Sequence, residues 1–96
     1  MYQLIIKPRA ILMAKEAYNW YEKQSNGLGE IFLSELESSY KKIEVQPTFY
    51  SKIKKNFRKI RLKRFPYVVI YEILKAEVVV FAVFHTSKNP KSSFKD

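Results

Sequence analysis

Between Ser51 and Phe65 stand Lys52, Lys54, Lys55, Arg58, Lys59, Arg61, Lys63 and Arg64, eight of the chain's 18 basic residues, and no acid occurs from Val45 to Tyr71. Side chains of this kind attract phosphates and other anions. The second half of the run alternates charged with apolar residues, Lys59-Ile60-Arg61-Leu62-Lys63, and a period of two is that of a strand. Ile60 and Leu62 then share one face, while Lys59, Arg61 and Lys63 form a cationic row on the other, with Arg64 just beyond. A rigid row can follow a phosphate backbone, whereas a flexible basic tail supplies charge without geometry. Other chemistries have little material. Cysteine is absent and His85 is the single histidine, which leaves no disulfide, no iron–sulfur site and no zinc site built by His85 alone; no metal or cofactor is expected. Glu16, Glu22, Glu30, Glu35 and Glu37 are scattered, are expected on the solvated surface, and form no carboxylate pair of the glycosidase kind.

A row of cations needs a scaffold to hold it. The 96 residues have room for one small domain, 1–96, and 47 % hydrophobic residues with seven Tyr, seven Phe and one Trp supply its core. The formal charge of +9 favours polyanions, anionic membranes or an acidic protein as partner. No apolar stretch approaches the roughly 20 residues that span a bilayer, and Met1 to Lys7 is too short for a secretory signal, so a soluble, cytoplasmic protein is expected.

Tyr2 to Lys7 reads as a first strand, stopped by Pro8. Ile11, Ala14, Ala17, Tyr18 and Tyr21, widened by Met13 and Trp20, recur at helical spacing and predict a helix from Arg9 to about Gln24. Ser25-Asn26-Gly27 makes a tight turn. Leu28, Phe32, Leu36, Tyr40 and Ile43 predict a second helix from Leu28 or Gly29 to about Gln46, ended by Pro47 and antiparallel to the first. After the basic strand and Pro66, the runs Tyr67–Leu74 and Val78–Thr86 form a β-hairpin. The fold class is therefore α+β, β-α-α-β-β-β, with the helical hairpin on one face of a mostly antiparallel four-stranded sheet. Both hairpin strands are apolar on both faces, with Val78, Val80, Ala82 and Phe84 opposing Val79, Phe81 and Val83. Two helices cover one face only. The basic segment, the polar tail from Ser87 or a separate polypeptide must cover the other. Tyr71 either joins the open face beside Arg61 or is buried and hydrogen-bonded.

This order of elements resembles the RelE/ParE toxins of bacterial type II toxin–antitoxin systems. The likeness is carried by Ala17-Tyr18-Asn19-Trp20-Tyr21-Glu22, Gly27-Leu28-Gly29, Phe32, Pro47, Tyr50, Arg58, Arg64-Phe65-Pro66-Tyr67, Tyr71, Ala82-Val83-Phe84-His85 and Pro90. It implies a toxin neutralised by a cognate acidic antitoxin. RelE-like members cleave messenger RNA on the ribosome, and ParE-like members act on DNA gyrase. On the nuclease pattern Lys59 and Arg61 match two basic positions and Lys88 stands where Arg is usual, but Val68 replaces an Arg and Phe94 the C-terminal Tyr. The resulting expectation is ribosome-associated mRNA cleavage with His85, Lys88 and Arg61 catalytic, His85 carrying the proton. Lys59, Arg61, Lys63, Arg64, Lys88 and Phe94 would contact nucleic acid. The alternatives are a ParE-like gyrase inhibitor without nuclease chemistry, or a non-toxic domain that binds nucleic acid or antitoxin.

Overall fold

The computed structural model describes residues 2–87. A short strand β1 (Gln3–Ile6) leads into α1 (Pro8–Gln24), which opens on Pro8, where a missing N–H is harmless. Its buried stripe is Ala10, Ala14, Ala17 and Tyr21. Small residues on that stripe let the helix lie close to its neighbours. The stripe is rotated from the expected one, so Ile11 and Trp20 are turned outward and are 56 % and 51 % exposed.

The second helix, α2 (Leu28–Val45), packs back along α1. Gly27 takes a left-handed φ of 89° at the turn, a conformation natural to glycine. Glu22, expected in solvent, instead caps α2: its carboxylate accepts the Gly27 N–H at 2.9 Å and the Gly29 N–H at 3.0 Å. Two of the four orphan donors at the helix start are thereby satisfied. A Cβ on Gly29 would lie 2.8 Å from both Glu22 and the Tyr18 ring, so the close crossing of the two helices depends on this glycine.

A 3-10 turn, Pro47–Phe49, leads to β2 (Lys52–Lys54), β3 (Phe57–Arg61), β4 (Tyr67–Leu74) and β5 (Glu77–His85). The sheet runs β1-β5-β4-β3-β2, with β1 parallel to β5 and the other pairs antiparallel. It has five strands, not four, because the basic run folds into a hairpin. Lys55 sits at its turn with a left-handed φ of 53°.

On the helix side, Ile60, Leu62, Val69, Tyr71, Val78, Val80 and Val83 join the helical stripes in one core. Tyr71 is fully buried there and its hydroxyl donates to the Pro47 carbonyl at 2.6 Å, so it does not reach the open face. A bulge in the β4–β5 register breaks the expected alternation: Ile70 pairs with Ala82 but Tyr71 with Val80, leaving Phe81 as the extra residue. Ala82 and Phe84 consequently share the second face with Val68 and Ile70. Ile53 and Phe57 of the basic hairpin pack on that cluster, as do Met13 and Phe81, and the Arg9 guanidinium lies 4.8 Å from the Phe81 ring centroid. The basic segment is thus one covering of the second face. The polar tail offered as another lies outside the described residues beyond Ser87.

Candidate functional site

On the second face β3 presents Lys59 and Arg61, separated along the strand by about 7 Å. Their registered neighbours on β4 are Ile70 and Val68, and Val68 in turn faces Phe84 on β5. These residues, with Ile53 and Thr86, line an open cleft of about 280 Å³ with an apolar floor and a cationic rim. Both cations are exposed, and neither forms an ion pair among the described residues. Val68, where the nuclease pattern has an Arg, is part of the apolar floor.

Lys63 leaves the expected row. Strand β3 ends at Arg61, Leu62 turns into the core, and its N–H bonds the Tyr67 carbonyl at 3.0 Å. Past that point the chain bends toward α2. Lys63 and Arg64 there line a second cleft, of about 350 Å³, with Arg61 and with Ser34, Glu35, Ser38, Ser39 and Lys42 of α2. Arg64 is engaged by a carboxylate: Glu35 accepts its Nε at 2.7 Å and its backbone N–H at 2.9 Å. Glu35, also expected in solvent, has only 11 % of its side chain exposed against 69 % for Arg64. Burial pushes the Glu35 carboxyl up, but the hydrogen bonds and charge of Arg64 outweigh it, and the acid is held below its usual range. Arg58 is likewise occupied, donating to the carbonyls of Thr48 at 3.2 Å and Tyr50 at 2.6 Å and so tying β3 to the 3-10 turn.

His85 belongs to neither cleft. It follows Val83 on the helix side, its ring 5.3 Å from that of Tyr67, in a third cleft of about 250 Å³ shared with Trp20 and Glu16. Its Nδ1 accepts the Ser87 N–H at 3.2 Å. His85 thus lines a different cleft from Lys59 and Arg61, with Phe84 bordering both. Lys88 and Phe94 lie outside the described residues. Among those residues no group of His, Asp or Glu side chains could hold a metal ion, and no helix is long and apolar enough to cross a membrane.

Residues 4–90 match the family model described as the ParE toxin of the type II toxin–antitoxin system parDE. The chain belongs to the ParE toxin family. Solved structures agree on the fold of this ParE-family chain. The chromosomal ParDE toxin–antitoxin system of P. aeruginosa superposes with a TM-score of 0.75 at 14 % identity, covering 91 % of this chain and 98 % of that one. The isolated E. coli RelE toxin gives 0.60 at 20 % identity, covering 93 % and 88 %. The intact E. coli RelBE toxin–antitoxin complex gives 0.61 at 19 %, covering 92 % and 100 %. No curated protein sequence matches this one.

Signals in the sequence for the site were uneven. The row Lys59 and Arg61 is readable from alternation, whereas the roles of Ile53 and Thr86 in the first cleft, and of Ser34, Ser38 and Lys42 in the second, depend on which strand and helix meet. For the serines, a spacing of four along α2 was the available hint.

Proposed function

We propose that this chain is the toxin of a type II toxin–antitoxin pair that works in the cytoplasm as a ParE-like inhibitor of DNA gyrase, by binding and without RNA cleavage. The observation that carries the reading is that His85 lines a different cleft from Lys59 and Arg61. Cleavage through a ribose 2′-hydroxyl needs proton removal, proton donation and charge stabilisation within reach of one phosphate. Lys59 and Arg61 offer the charge, but among the described residues no imidazole or carboxylate lines their cleft. Such a surface is suited to gripping a partner. The apolar floor with its cationic rim also fits an acidic, amphipathic segment of an antitoxin, which would cover Val68, Ile70 and Phe84 and neutralise the rim.

The test is induction of the chain in cells carrying a DNA-damage reporter, with transcripts mapped in parallel and gyrase supercoiling assayed with purified protein. A damage response with intact transcripts and blocked supercoiling is the expected result. Rapid messenger RNA cutting without a damage response would overturn the reading in favour of a ribosome-bound nuclease using Arg61, Lys88 and His85, with Lys63, Arg64 and Phe94 on the RNA. Harmless expression would mark a non-toxic binding domain.

A further inference from the structure

The second cleft, where α2 meets the bend after β3, differs in kind from the first. Every side chain lining it is polar, whereas the floor of the first is apolar. One wall is a row along α2, Ser34, Ser38 and Lys42, spaced four residues apart and so rising about 12 Å in all. The facing wall holds Arg61, Lys63 and Arg64. Four cations meet one carboxylate there, a surplus of three positive charges, and both Glu35 oxygens are already taken by Arg64. Of the Arg64 guanidinium, that contact uses only the Nε, the other hydrogen bond coming from the backbone N–H. Its two terminal amino groups have no partner among the described residues and can donate outward. Lys42 and Lys63 are exposed and unpaired among those residues. Arg61 lines both clefts, so the basic surface turns the corner of the sheet without a break.

We propose that this polar cleft is a phosphodiester-binding groove, which holds one strand of duplex DNA while the first cleft takes a protein partner. A docked peptide helix or strand relies on apolar side chains for anchoring, and this groove offers none to meet them. Phosphates are held by arginine, lysine and serine hydroxyl donors together, the set found here. Because a duplex strand winds about its axis, its successive phosphates are spaced well beyond the 3.4 Å axial rise, and the groove's roughly 12 Å meets about two or three of them. Glu35 acts as a positioning residue, fixing the bend that carries Lys63 and Arg64 opposite the serines. The choice of DNA over RNA rests on the gyrase reading, since gyrase presents duplex DNA beside its own protein surface.

The experiment is fluorescence anisotropy of the full chain with a short labelled duplex over a range of salt. Each variant is also assayed for gyrase inhibition and checked by thermal melting. Lys42→Ala/Lys63→Ala should weaken DNA binding about 10- to 100-fold at low salt and flatten the plot of log affinity against log salt by about 1.8, two phosphate contacts' worth. Ser34→Glu/Ser38→Glu should also weaken it, by placing negative charge on the facing wall. Unchanged affinity and slope in both variants would overturn the proposal, as would equally tight binding of a polyglutamate peptide of matched charge. Tighter binding of single-stranded RNA than of duplex DNA would overturn the choice of nucleic acid. If DNA binding depends on Lys42 and Lys63 while gyrase is untouched by the parent chain, the groove stands and the gyrase reading fails. If gyrase is inhibited and DNA binding ignores both lysines, the reverse holds.

Discussion

Lys59 and Arg61 stand out among the described cations in sharing one exposed strand face with an apolar floor beside them and no ion pair to a described acid. Replacing both with alanine should abolish growth arrest while changing stability by no more than about 0.5 kcal/mol each, as for exposed side chains without special contacts. His85→Ala should leave arrest intact. Colony counts after induction, with melting curves of the purified variants, check both; arrest lost on removing His85 alone would restore the nuclease reading. Tyr71 carries a different kind of weight. Tyr71→Phe strands the buried Pro47 carbonyl and should cost about 1–3 kcal/mol in denaturant unfolding. Burial also pushes the Tyr71 hydroxyl up to about 12, although the charge of Arg58 opposes this, and burial does the same to Tyr40. Both groups ionise earlier in the unfolded chain, so their contribution is complete below about pH 10 and is lost as pH climbs through 12. Alkaline melts should show that decline, shallower in Tyr71→Phe. The sequence left Tyr71 two positions because a one-residue register step exchanges sheet faces, and register is set by pairing partners that alternation does not name. Lys63 failed for the same reason in reverse: alternation continues through it, but the strand stops at Arg61 once Leu62 pairs with Tyr67.

Among the elements, the helical hairpin was legible almost to its ends because Pro8, Ser25-Asn26-Gly27 and Pro47 punctuate it chemically. What periodicity could not supply was the phase of α1: Ala10, Ala14 and Ala17 face inward because only small residues let that helix settle, although Ile11 is more apolar. Gly29 belongs to this close approach. Gly29→Ala should force the Tyr18 ring and Glu22 to move and destabilise the protein by about 1–3 kcal/mol, the usual range for overpacking. Gly27→Ala has open space around its Cβ, so its penalty of about 1 kcal/mol would come from the left-handed φ alone. Thermal melts of the two variants separate the causes. Adding Tyr18→Ala to Gly29→Ala should recover part of the loss, and should do nothing for Gly27→Ala. The basic hairpin was the least legible element, since its turn carries Lys55 in place of the glycine that usually advertises one.

Across the whole molecule, burial is concentrated in β4 and β5, which are covered on both faces and lie inside the sheet, β5 being flanked by β1 along Glu77–Val80. The hairpin read from the sequence as doubly buried is that pair, and its hydrophobicity on both sides was the signal. The fifth strand was hidden because β2 has three residues, two of them lysines, and a charged edge strand lacks the apolar pattern that marks a strand. Its composition discourages pairing with other chains, and its stability should be correspondingly local. Amide hydrogen exchange should therefore divide the chain: β4 and β5 amides exchange only with global unfolding, while Lys52–Lys54 and the Lys55 turn exchange through a cheaper local opening. Because Ile53 forms part of the first cleft's wall, this loosely held strand is also where a bound partner should leave its mark. Protection of Ile53 should rise on adding the partner that occupies that cleft and stay unchanged on adding duplex DNA. An equal response to both ligands would mean that the two clefts act as one.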